Sequence, residues 1–83
     1  MEQLDDPIEV ATVFGTRGMR LVWVGWQGRR RMIQRVCYQW AESDGAKLLR
    51  HFSVTDGSLW YELCFDTREL RWRLMKISSA DGG

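Results

Sequence analysis

Apolar and polar residues alternate with a period of two along most of this chain, and short glycine- or aspartate-containing breaks separate the alternating runs. That period is the mark of strands with one buried and one wetted face. Ile8, Val10, Thr12 and Phe14 form the first run, closed by Gly15 and Gly18, which can both adopt positive φ. Residues 19 to 26 contain Leu21, Val22, Trp23 and Val24, apolar on both faces, which predicts a central strand. Gln27 and Gly28 then make a two-residue turn into an arginine-rich third strand.

A fourth strand is predicted over about 47–55, with Leu48, Phe52 and Val54 on one face and Leu49 and His51 on the other. Asp56-Gly57 is the strongest hairpin signal in the chain. Beyond it Leu59, Tyr61, Leu63 and Phe65 alternate with Trp60, Glu62, Cys64 and Asp66. A turn near Thr67 and Arg68 leads to a last strand, where Leu70, Trp72 and Leu74 alternate with Arg71, Arg73 and Met75.

One segment carries conflicting signals. Ile33, Val36, Cys37, Trp40 and Ala41 fall at helical spacing, and Asp44-Gly45 is able to end a short helix over 33–43. No N-cap residue precedes Ile33, however, and the tight turn at Gln27-Gly28 leads straight into a pairing strand. The favoured reading is a long strand over about 29–40 with a bulge near Arg35 or Val36, which shifts the inward register from Ile33 to Val36. The expected fold is therefore all-β. A single antiparallel meander of five to six strands must curl into a small barrel or bent roll, because no long helix is present to cover its apolar face. One domain is expected over residues 1–83, with its core at about 8–77 and flexible ends at 1–6 and 78–83.

Composition makes the apolar positions unusual in kind. Five tryptophans accompany ten arginines and only two lysines in 83 residues. Large aromatics supply much apolar area to a small core, and tryptophan and arginine are also the residues enriched at binding surfaces. The alternation favours packing roles for Trp23, Trp40 and Trp72, an outer position for Trp60, and a surface position at a hairpin end for Trp26. No apolar run reaches the ~20 residues needed to cross a bilayer. The acidic start is unlike a secretory signal, so no membrane association and a cytoplasmic address are expected. Cys37 and Cys64 lack metal-ligand spacing and read as small hydrophobes.

The net charge of +1 conceals strong segregation. Residues 1–16 carry acids and no base, whereas residues 17–35 carry Arg17, Arg20, Arg29, Arg30, Arg31 and Arg35 and no acid. A near-neutral total is compatible with a local basic patch.

Enzymatic chemistry lacks an inventory. His51 is the single histidine and has no serine or cysteine nucleophile near it in sequence, and the acids flanking Cys64 raise rather than lower a thiol pKa. The glycine pairs lack the strand-to-helix setting of a phosphate loop, and no metal or other cofactor is implied. The chain is expected not to be an enzyme. Trp26 with Arg29, Arg30 and Arg31 is the sharpest candidate site, since an aromatic can stack on a base while guanidinium groups hold phosphates. Arg71 and Arg73 join it if the third and last strands lie close together. The same arginines also suit a solvated sheet face paired with Glu62, Glu69 or Asp66, or a protein-binding surface.

The spacing Trp26-x-Gly28-Arg29, then Ile33, Val36, Cys37 and Trp40, then Phe52-x-Val54, Gly57, Tyr61-Glu-Leu63 and Asp66, then Trp72-x-Leu74 and Ile77 resembles an uncharacterised small bacterial domain. That domain occurs alone and at the C-terminus of proteins similar to Y-family DNA polymerases. The likeness covers about residues 22–77 and departs from the pattern at Arg31, where an aromatic is commoner. It implies a DNA-repair setting and offers no activity to carry over. The resulting expectation is a non-enzymatic binding module for single-stranded nucleic acid. The alternative is a protein-interaction or self-association module that uses the same surface or an exposed strand edge, with a polymerase-like protein or a second copy as partner.

Overall fold

A computed structural model describes residues 2–79. They form one antiparallel sheet of seven strands and no helix: β1 (Glu2–Gly15), β2 (Gly18–Trp26), β3 (Arg29–Met32), β4 (Arg35–Asp44), β5 (Lys47–Thr55), β6 (Leu59–Asp66) and β7 (Arg71–Ser79). Their order across the sheet is β3-β2-β1-β7-β6-β5-β4. The expected five to six strands are thus seven, and the sheet does not close into a barrel.

The extra strand arises where the predicted long third strand breaks in two. Only Ile33 and Gln34 separate β3 from β4, yet these strands are the two opposite edges of the sheet. The Ile33 amide donates to the Val22 carbonyl at 2.9 Å, and the Gln34 amide donates to the Thr55 carbonyl at 2.8 Å. Consecutive amides thus bond to opposite edges. Such a short link reaches both edges only if the sheet is strongly curled. No helix forms over 33–43, because β5 pairs with this segment throughout and supplies the hydrogen bonds a helix would have made internally.

Register shifts interrupt four of the six strand pairings, and two of them decide which residues of β2 and β4 face inward. Ala11 pairs with Trp23 but Thr12 pairs with Leu21, so Val22 is extra and both Leu21 and Val24 reach the core. Val36 pairs with Val54 but Tyr38 pairs with Ser53, so the extra residue of β4 is Cys37, one or two positions beyond the bulge expected from sequence. Downstream of it Tyr38 and Trp40 turn to the convex face. Trp40 is therefore not a core anchor; it is 36% exposed and stacks on His51.

The concave face holds the core: Leu21, Val24, Phe52, Val54, Tyr61, Leu63, Phe65, Trp72 and Leu74. Trp72 is the one tryptophan buried in it, with ring centroids 4.7 Å from Phe65 and 5.5 Å from Phe52. Two turns place a non-glycine residue at positive φ. Gln27 (φ 53) and Gly28 (φ 76) form the tight β2–β3 turn, with both central residues left-handed as a two-residue hairpin demands. Leu70 closes the β6–β7 turn at φ 57 although it is a branched residue and 71% exposed.

Leu63→Ala is expected to destabilise the fold by ~2–5 kcal/mol, since its side chain is fully enclosed. Leu70→Gly is expected to stabilise by up to about 1 kcal/mol by relieving the left-handed backbone. Urea unfolding followed by tryptophan fluorescence checks both, and equal effects of the same sign would contradict the assigned faces and turn.

Candidate nucleic-acid interface

Strand alternation divides the three consecutive arginines between two faces. Val24 is buried and pairs with Arg31, and Trp26 pairs with Arg29, so Arg29 and Arg31 share the concave side with Trp26. Gly25 pairs with Arg30, which lies on the convex side with its guanidinium 4.4 Å from the Trp23 ring centroid. Gly25 leaves room for that aromatic: a Cβ there would stand 3.1 Å from Trp23 Cζ3.

Arg71 and Arg73 flank buried Trp72 and face the convex side, as alternation requires. Between β3 and β7 stand β2 and β1, three strand spacings or about 14 Å. Arg73 also donates from Nε to Asp5 Oδ1 and from Nη2 to the Asp5 carbonyl at 2.9 Å. The structure therefore brings Trp26, Arg29 and Arg31 together and leaves Arg30, Arg71 and Arg73 outside that group.

Trp26 is half-buried and packs against the core edge, and its indole donates to Asp6 Oδ2 at 3.2 Å. This fixes the ring before any ligand arrives. Trp26 and Arg29 together line two adjoining depressions. One, of about 310 Å³, is completed by Val24, Gln27, Arg31, Leu59 and Tyr61 on the concave side. The other, of about 520 Å³, lies outside the hairpin between Gly25–Arg30 and Pro7–Glu9. An aromatic held by a hydrogen bond, on the same face as two guanidinium groups at an open depression, has the parts needed to stack a planar base and hold its phosphates.

Leu59 and Tyr61 in the lining of the concave depression are held by Asp56, a residue whose role the alternation did not reveal. Asp56 accepts from the Ser58 and Leu59 amides, both at 2.8 Å, and from the Tyr61 hydroxyl at 2.7 Å. Burial would raise the Asp56 carboxyl, but the Leu59 and Ser58 amides, the Tyr61 hydroxyl and the charge of Arg31 together hold it below the usual carboxylate range. Burial and the Asp56 contact push the Tyr61 hydroxyl well above its ordinary range. Tyr61 therefore faces the depression as a neutral donor that is already engaged.

Charge pairing differs sharply between the two halves of the sheet. Lys47 with Asp66 at 3.2 Å, Arg73 with Asp5, and Lys76 with Glu62 at 3.8 Å all lie on the side of β1 and β5–β7. None of Arg17, Arg20, Arg29, Arg30, Arg31 and Arg35 has an ion-pair partner among the described residues. Arg31 feels the charge of Asp56, but no carboxylate oxygen stands within ion-pair distance of any of the six.

The convex face carries a second polar cluster. His51 is buried and its Nε2 lies 2.7 Å from Glu42 Oε1; Trp40 stacks on it at 5.0 Å with planes 7° apart, and Cys64 pairs with it across the strands. Burial, with Glu42 and Asp66 nearby, pushes the Cys64 thiol up and so away from the nucleophilic thiolate. No group of three or more metal-ligating side chains occurs among the described residues. Searches of family models, curated proteins and solved structures return no match to this chain.

Asp56→Ala removes three hydrogen bonds and is expected to cost about 1–3 kcal/mol. Because the folded-state pKa of Asp56 lies below its unfolded value, this stabilisation is full above the unfolded pKa and fades as pH falls through the folded one. Urea midpoints measured from neutral to strongly acidic pH should therefore converge for the native chain and the variant at the acid end. A difference that stays constant would contradict this role.

Proposed function

We propose that the β2–β3 hairpin is a binding surface for single-stranded nucleic acid. Trp26 stacks on a base, and Arg29 and Arg31 hold the phosphates on either side of it. Arg30 extends the positive field from the convex side, where Arg71 and Arg73 also lie but on a strand three spacings away. The observation that carries this reading is that none of the hairpin arginines is in an ion-pair contact among the described residues, beside a tryptophan already fixed by Asp6.

Unpaired surface charge raises the encounter rate with a polyanion and makes the affinity depend on salt. A short β3 bearing three arginines also protects that sheet edge from pairing with another chain, and this protective role is compatible with binding. The setting proposed with it is DNA repair in a bacterial cytoplasm, the one that the resemblance of residues 22–77 implies. No helix long and apolar enough to cross a membrane occurs among the described residues.

Titration with short single-stranded DNA at low and high salt, followed by tryptophan fluorescence, checks the proposal. Quenching that weakens steeply with salt, and that falls about tenfold or more in Arg29→Glu but little in Arg71→Glu, is the expected result. Equal losses in both variants would show nonspecific attraction to the whole molecule. Silence at low salt would end the reading.

A further inference from the structure

The curled sheet leaves one seam unclosed, and its two walls are both strand edges. β3 pairs with β2 only from Trp26 back to Trp23, and the Ile33 amide then takes the Val22 carbonyl. Beyond that point the chain passes to β5, so residues 19–21 of β2 pair with β1 alone. The first half of β4 likewise pairs with β5 alone. A cleft of about 450 Å³ lies between these unpaired edges.

Its lining alternates as its walls do. Met19, Leu21, Val36 and Phe52 lie on the concave side and make an apolar floor. Arg20 and Arg35, one from each wall, lie on the convex side at the rim, with no ion-pair partner among the described residues. Arg35 rests only on the Trp60 ring, 6.0 Å from its centroid. Beneath the seam Arg50 spans both walls, donating to Met19 Sδ at 3.5 Å and to Gln39 Oε1 at 3.3 Å. The walls are therefore held in place while their backbone groups stay unpaired.

We infer that this seam accepts an extended peptide strand in which apolar and acidic residues alternate. The apolar side chains descend onto Met19, Leu21, Val36 and Phe52, and the acidic ones point outward between Arg20 and Arg35. The open edges are three residues long on the β2 wall (19–21, ~10 Å) and five on the β4 wall (35–39, ~17 Å), so an inserted strand gains pairing on both sides over about three residues. β2 and β4 run in opposite directions, so one inserted strand pairs antiparallel with one wall and parallel with the other. The acid-free stretch 17–35 supplies both rim cations, and charge complementarity selects the partner. Trp26, Arg29 and Arg31 lie outside this cleft, so the inference does not depend on the nucleic-acid reading.

The test uses the full chain and three capped hexapeptides: alternating Glu and Val, alternating Lys and Val, and the Glu/Val sequence with alternate amides N-methylated. Binding is read by NMR shifts and by amide exchange at residues 19–22 and 35–39. The Glu/Val peptide should bind and protect amides on both walls, with the Lys/Val and N-methylated forms roughly tenfold weaker or worse. The Arg20→Glu/Arg35→Glu chain, checked for fold by circular dichroism, should invert the preference between the Glu and Lys peptides. No binding at millimolar peptide, equal binding of the N-methylated form, or an unchanged preference in the charge-reversed chain overturns the inference. So does a free protein whose mass rises with concentration as β4 amides become protected, because a second copy would then occupy that edge.

Discussion

Two consecutive amides hold the architecture together. Ile33 bonds back to β2 and Gln34 bonds across to β5, so the chain leaves one edge of the sheet and joins the other within a single peptide step. A flat seven-stranded sheet would place those edges about 29 Å apart, six strand spacings. The link therefore obliges the sheet to curl and encloses Leu63, Leu74 and Val54 on its concave side. It also leaves β3 only four residues long, which keeps the arginines at an open edge.

Curling without closure separates three regions with different physics. The convex side of the central strands carries the ion pairs Lys47–Asp66, Arg73–Asp5 and Lys76–Glu62, and the His51–Glu42 hydrogen bond beside Trp40. The hairpin end is basic, open and rigid, since Asp6 fixes Trp26 and the turn at Gln27 and Gly28 fixes the register of β3. The seam is an incomplete sheet, with apolar floor and basic rim but no strand between its walls. Binding capacity thus lies where the fold leaves charge or backbone unpaired.

Much of the sheet was legible in the alternation. Leu63, Phe65, Trp72 and Leu74 are inward as their spacing required, and Asp56-Gly57 forms the expected turn. The break at Ile33 and Gln34 was not legible, because neither residue is a breaker and the event is a tertiary transfer of hydrogen bonds between two edges. Trp40 was misplaced for a related reason: a bulge at Cys37 reverses the face of every later residue in β4, and a shift of one position is decisive at period two. Arg30 was grouped with Arg29 and Arg31 although neighbours along a strand face opposite ways, a separation that the alternation itself already contained. Arg20 and Arg35 gain their places only from the meeting of strands distant in sequence, whereas Asp56 is held to Ser58, Leu59 and Tyr61 by bonds local to its own turn.

Native-state amide exchange at Ile33 and Gln34 tests the central claim most directly. If one link closes both edges, these two amides exchange as slowly as those of Leu63 and Leu74 and open together with them, although Gln34 itself is exposed. Exchange of either amide at the rate of an unprotected loop, while Leu63 and Leu74 remain protected, would contradict the account, since the sheet would then stay folded with its edges untied.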